Sequence, residues 1–264
     1  MKKTYLILDT ETTTLPNLKN SKFALDFPLI YDFGYKLVDR HGNILETESA
    51  VVQEIFFNDE LFEGAYYAHK KPQYMEKIAN GTIAVKTWAV LTEKFENILK
   101  TYKPTVCAYN AHFDFKRAIP TTELFFKGFS SKGNFWKANL EKKVADRVNN
   151  VAYEGTYTPN PHFRFRKADY EIIDIWRVAC ENLLNTDKFR NYAFDNGYLT
   201  KSNYPKTSAE VVYRYLFLAE NFIESHTAIE DVEIETEILF KGLTQKKTIN
   251  KGIMPFPFRV IGKC

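Results

Sequence analysis

Asp9 and Glu11 stand one residue apart at the end of a short apolar run, in the stretch YLILDTETT at residues 5–13. Side chains alternate along a strand, so both carboxylates point to one face, where they repel each other and resist leaving water. A divalent cation removes that conflict, and carboxylate oxygens are the ligands that hard cations take. A clamp of this kind needs further acids. Asp114 follows a second apolar run, TVCAY at 105–109, in the first turn of a helix, where the helix N-terminus also favours an anion. Asp231 belongs to a helix announced by Thr227 and Glu230, whose spacing is that of a capping box. Ile234 and Ile238 lie three and seven residues on, which puts Asp231 on the buried stripe of that helix and leaves Glu233 and Glu237 on its solvated side. His226 falls in the loop just ahead. Histidine exchanges a proton near neutral pH, so it can activate a water beside a cation held by the acids. His41, His69, His112 and His162 read as surface residues, although His112 is only two residues from Asp114.

The elements that must bring these residues together follow from the pattern of apolar residues. Residues 5–9, 105–109 and 170–174 (YEIID) read as short buried strands, and 33–39 and 44–53 as two strands joined by the hairpin-like loop RHGN. Helical regions are expected at 58–79, interrupted by Pro72, at 84–102, after Asp174 over IWRVACENLL, and at about 207–219 and 228–243. Strands linked through helices imply an α/β fold with parallel pairs in the sheet. Between 120 and 167 the pattern dissolves into a loop-rich excursion.

Length and composition bound the class. The 264 residues allow one large domain, and 45% hydrophobic with 26% charged residues is an ordinary globular balance. The apolar run behind Lys2 and Lys3 is too short for a signal peptide or a membrane span. Three cysteines without CxxC spacing suggest neither a disulfide framework nor a zinc site, which points to a reducing, cytoplasmic compartment. The net charge of +3 hides an uneven distribution. Residues 116–167 carry eleven Lys and Arg against four Asp and Glu, and 241–264 carry six against none, so an anionic partner would meet these two segments.

In chain order, Asp9-Thr-Glu11-Thr-Thr, Asn110-Ala-His-Phe-Asp114 and His226-Thr-Ala-Ile-Glu-Asp231 resemble the three exonuclease motifs of the DEDD superfamily. A histidine five residues before the last Asp is similar to the DEDDh, or DnaQ-like, branch; the sister branch has a tyrosine where this chain has Thr227. Asp174 falls where that family has a non-catalytic Asp on a core strand, and the segment around His226 also resembles phage-encoded members. The resemblance spans residues 5 to about 240. It implies a ribonuclease H-like fold, a mixed central sheet flanked by helices, and 3′-to-5′ hydrolysis of a nucleic acid with two Mg2+ or Mn2+ ions. Asp9, Glu11, Asp114 and Asp231 would then hold the metals, with His226 as general base. Thr12, Thr13, Asn110 and Phe113 would approach the terminal nucleotide.

The excursion departs from a minimal member of that branch. It interleaves its basic residues with nine aromatics, Phe125, Phe126, Phe129, Phe135, Trp136, Tyr153, Tyr157, Phe163 and Phe165, a composition suited to a single strand whose phosphates pair with cations and whose bases stack. Arg164, Arg166 and Lys167 are the expected phosphate contacts, although the same aromatics would also serve as a satellite core under a long loop. The expectation is therefore an exonuclease domain over 1–243 with a basic tail at 244–264, acting on single-stranded DNA. An exoribonuclease of the same fold and a non-catalytic nucleic-acid-binding module are the alternatives.

Overall fold

The computed structural model describes residues 3–14, 27–127, 170–245 and 247–264. Its centre is a six-stranded sheet built from β1 (Thr4–Thr14), β2 (Pro28–Asp39), β3 (Ile44–Val52), β4 (Ala84–Lys86), β5 (Thr105–Ala108) and β6 (Ile172–Asp174), in the order β4-β3-β2-β1-β5-β6. β1 runs antiparallel to β2 and parallel to β5, and β5 is parallel to β6. The sheet is mixed and flanked by helices, as expected for an α/β fold, with β4 added beside β3. The Arg164, Arg166 and Lys167 contacts, and the aromatics from Phe129 to Phe165, lie outside the described residues.

Alternation along β1 sorts its side chains into two cores. Leu6 and Leu8 join a cluster with Phe33, Trp88 and Phe95, whereas Tyr5 and Ile7 join one with Val178, Val232 and Ile238. Asp9 and Glu11 continue the second series and so face the helices of that side. The first face is covered by α1 (Lys71–Ala79) and α2 (Trp88–Tyr102) and is approached by α3 (Ile119–Lys127). The second is covered by the helical segment Ile175–Leu184, α4 (Asp187–Asp195), α5 (Ala209–Phe217) and α6 (Ala228–Leu243). No described helix is long and apolar enough to cross a membrane.

Three local expectations need correction. The run from residue 84 is not one helix: Ala84–Lys86 pairs parallel with β3, and Thr87 then caps α2 by accepting the Val90 N–H. Three residues satisfied by a sheet edge override the helical spacing. Pro72 does not interrupt a helix but sits in the first turn of α1, where its missing N–H costs nothing. The helix α4 was not anticipated, yet Thr186 caps it in the ordinary way by accepting the Phe189 N–H.

Residues 247–264 return to the sheet. The Gly252 N–H donates to the Ile172 carbonyl at 2.8 Å, and a 3-10 helix, Pro257–Ile261, buries Ile261 in the second core. Arg190 Nη1 donates to the Ile261 carbonyl at 2.7 Å.

Candidate active site

The site forms where α6 enters the sheet. Gly34 on β2 is the cross-strand partner of Asp9, and a Cβ built on it would lie 2.6 Å from Ala228 C and Ile229 N. Only a residue without a side chain lets the first turn of α6 come this close, and that turn carries Asp231 to the face on which Asp9 and Glu11 stand. Asp32, the partner of Glu11, then serves the helix end: its Oδ2 accepts the Ala228 N–H at 2.9 Å and the Tyr74 hydroxyl at 2.7 Å. The expected capping box is therefore altered. Thr227 remains the N-cap residue, but its hydroxyl donates to Glu230 Oε2 at 2.5 Å, Glu230 pairs with Lys77, and the helix N–H is met from β2 instead.

Asp114 arrives from the other side. β5 ends at Ala108, Asn110 takes a left-handed conformation with φ 58°, and the chain coils through Ala111–Phe113 into a π-helical turn that starts at Asp114. The Thr10 hydroxyl donates to Asp114 Oδ1 at 2.7 Å, tying the buried acid to β1. Asp174 caps the segment that follows β6 by accepting the Arg177 N–H, which agrees with a structural rather than catalytic acid.

Asp9, Glu11, Asp231 and His226 line one cavity of about 570 Å3 together with Thr10, Tyr67, Glu224 and Glu235. Asn110 lines it as well; Asp114 does not, and is joined to the lining by its hydrogen bond from Thr10. Ligand atoms of Glu11, His226 and Asp231 lie within 4.8 Å of one another. Thr12 and Thr13 do not line the cavity. The pairing of β1 with β2 shifts between Glu11 and Thr12, where Tyr31 of β2 is the extra residue, and the Thr13 hydroxyl donates to the Leu61 carbonyl at 2.6 Å. Phe113 packs against the first core instead of facing the cavity, and His112 is also outside the lining.

Burial governs the electrostatics. Desolvation, followed by mutual repulsion, holds Asp9, Glu11 and Glu235 well above the usual carboxylate range. It pushes Asp114 up to about 7, Asp231 to about 8 and Glu224 to about 7. Lys70 opposes the shift at Glu11, Asp231 and Glu224. For His226, burial and then Lys70 act in the other direction and lower its pKa, which favours the neutral imidazole. The donor set, several buried carboxylates with one imidazole, fits a hard divalent cation such as Mg2+ or Mn2+, whose charge would relieve the repulsion that burial creates.

Glu235 was not anticipated. It is one helical turn beyond Asp231, only 3% exposed, and its Oε2 accepts the Tyr109 N–H at 3.3 Å. The same periodicity that aimed Asp231 inward aims position 235 inward, so the signal was present between the two solvated glutamates. Tyr67 and Glu224 had no such signal. The Tyr67 ring stacks on the His226 imidazole, and Glu224 Oε2 lies 3.8 Å from His226 Nδ1. His226 itself has a left-handed backbone, φ 53°, which turns the chain into α6 while its side chain stays half-buried.

No family model matches the chain, and no curated protein matches its sequence. Among solved structures, similarity is found to exonuclease I of E. coli in complex with a dA16 oligonucleotide (TM-score 0.49, 15% identity, 92% of this chain and 41% of that one). Cell-death related nuclease 4 (TM-score 0.48, 16% identity) is covered over 64% of its length by 92% of this chain. A 3′-exonuclease described with a histone mRNA stem-loop (TM-score 0.49, 11% identity) is covered over 69% by 97% of this chain. The chain thus spans less than half of exonuclease I. At these identities and scores the overlap assigns this chain neither a substrate nor an activity.

Proposed function

We propose that the protein is a metal-dependent 3′-to-5′ exonuclease that hydrolyses phosphodiester bonds at the end of single-stranded DNA. The observation that carries this reading is the convergence of Asp9, Glu11 and Asp231 with His226 on one cavity, with Asp114 tied to it through Thr10. A module that merely binds a polyanion has no use for buried acids that repel phosphate. The 3′ polarity rests on the resemblance of the three motifs, and a single-stranded substrate on the basic, aromatic composition of residues 116–167. Three free cysteines, two of them buried, fit a reducing cytoplasm.

Asp9, Glu11, Asp114 and Asp231 would hold the divalent ions, two Mg2+ or Mn2+ in this reading. When bound, such ions supply charge neutralisation at the phosphate and the leaving oxygen. The chain's own residues supply the rest. Neutral His226 takes a proton from water as the water oxygen bonds to phosphorus, and the P–O3′ bond to the preceding nucleotide breaks. The departing 3′ oxygen gains a proton from solvent, leaving a nucleoside 5′-monophosphate and a strand shortened by one. Tyr67 and Lys70 orient the base: the ring lies against the imidazole, and Lys70 Nζ donates to the Ser225 carbonyl at 2.6 Å.

The test is incubation with 5′-labelled single-stranded and duplex DNA and RNA in Mg2+, Mn2+ or chelator. A metal-dependent ladder shortening from the 3′ end is expected, strongest on single-stranded DNA. A preference for RNA would replace the substrate, and inertness on every substrate would overturn the reading.

A further inference from the structure

One wall of the cavity does not belong to the acids. Tyr109, Trp176 and Phe258 line it with Pro205, and they come from the end of β5, the segment after β6 and the C-terminal 3-10 helix. Their rings lie nearly parallel: Tyr109 and Trp176 are 25° apart in plane with centroids at 6.5 Å, Trp176 and Phe258 26° apart at 6.0 Å. Both polar ring substituents are engaged by one residue. Trp176 Nε1 donates to Thr207 Oγ1 at 2.7 Å and the Tyr109 hydroxyl donates to the Thr207 carbonyl at 2.6 Å. Trp176 and Phe258 stay half-buried and face the cavity, so their orientation is set before anything binds.

Tyr109 joins this wall to the acidic end. The Tyr109 ring belongs to the wall, while its backbone N–H is held by Glu235 among the acids. A ligand spanning the cavity must therefore offer an anionic, cation-compatible group at one end and a flat apolar face at the other. A nucleotide has both. Lys206 also lines the cavity, where it can meet a neighbouring phosphate.

We propose that Trp176, fixed with Tyr109 through Thr207, and Phe258 packed beside it form a stacking subsite for a nucleobase beside the scissile phosphodiester. The inference rests on the exonuclease reading above. It adds two residues that lie outside all three motifs, one of them from the C-terminal segment. Stacking of a base on an aromatic side chain tolerates any base, so the subsite would grip the strand without reading its sequence. Because the rings are already anchored, little ordering cost opposes the contact.

The test compares oligonucleotides that carry an abasic residue at the terminal or penultimate 3′ position with the intact strand. In the wild type, loss of the base at one of these positions should raise KM at least about fivefold. In Phe258→Ala and Trp176→Phe the same loss should matter less, and Phe258→Tyr should restore the wild-type difference. Equal penalties for the abasic strand in wild type and Phe258→Ala, or none in the wild type, would overturn the subsite while leaving the nuclease reading intact. Thermal melting of each variant identifies one that fails to fold; where Phe258→Ala is that variant, Trp176→Phe decides in its place, a smaller abasic penalty than in the wild type counting for the subsite and an equal one against it. Absence of metal-dependent cleavage in the wild type would instead remove the function on which the subsite depends.

Discussion

The imidazole of His226 lies face to face with the ring of Tyr67, centroids 4.3 Å apart and planes 15° from parallel. Lys70 Nζ sits 4.7 Å from the Tyr67 centroid, so a cation and an imidazole both meet the phenol ring beside the acidic cavity. The stack holds a residue whose backbone is in the left-handed region, where the loop alone would leave its direction loosely set. His226→Ala should lower turnover by at least roughly a hundredfold while metal binding persists, and Asp9→Ala should abolish metal-dependent hydrolysis. Tyr67→Ala should cost about tenfold or more in kcat with little change in KM, and Tyr67→Phe should retain most of the activity. Wild-type turnover in the His226 variant would remove it from the mechanism.

Burial of the acids links metal, pH and stability. Asp114 and Asp231 are pushed up to about 7 and about 8, against about 4 in an unfolded chain. The folded protein therefore holds more protons than the unfolded one between these limits, and stability falls as pH rises through that window. In chelator, Tm should decline from pH 5 to pH 8. Saturating Mn2+ should raise Tm more at pH 8 than at pH 5, and an equal rise at both would contradict the linkage.

Glu235 shares the desolvated space with Asp9, Asp114 and Asp231. Its link to the Tyr109 N–H keeps one oxygen occupied, so its main contribution should be to the charge seen by a cation. Glu235→Gln should weaken Mn2+ binding about tenfold by calorimetry, within the range typical of groups surrounding a metal's direct ligands. Unchanged affinity would show that Asp9, Glu11, Asp114 and Asp231 set the metal's environment without it.

Asp32 anchors the start of α6 from the sheet. Replacing it by Ala leaves the Ala228 N–H without its acceptor and the Tyr74 hydroxyl with only the His226 carbonyl at 3.4 Å, and an unsatisfied buried group costs about 1–3 kcal/mol. Chemical denaturation of Asp32→Ala should show a loss in that range. Asp32→Asn, which keeps an acceptor oxygen, should lose less.

Much of the site was legible because its acids are announced by local apolar patterns. Asp9 ends the apolar run of β1, although the strand itself continues to Thr14, Asp114 follows a second such run, and Asp231 shares a stripe with Ile234 and Ile238. What could not be read depends on contacts made across the fold. Asp32 acquires its partners only when α6 and α1 pack on β2, and Trp176 meets Phe258 only after the last residues return beside β6. Ala84–Lys86 looked helical because Val85 matches the spacing of Trp88 and Leu91, and only the available edge of β3 makes it a strand. The sheet was recovered in class and at its β6 edge but not at its β4 edge, where three residues are too few for a period to show.

Gly34 sets a tolerance for the whole arrangement. The layer spacing between sheet and helix is usually a compromise among many side chains that can each yield a little, yet here the backbone of Ala228 and Ile229 rests against a position that has nothing to yield. Gly34→Ala should therefore displace the entry of α6, and activity should fall far more than the loss of Tm would suggest. A variant with full activity would show that the helix can ride outward without consequence. The missing methyl group behaves like a machined seat: Asp231 is located by contact between two backbones, so the separation of acids contributed by strand and helix is defined to within the softness of main-chain atoms. Side-chain repacking elsewhere in either core has little leverage over it.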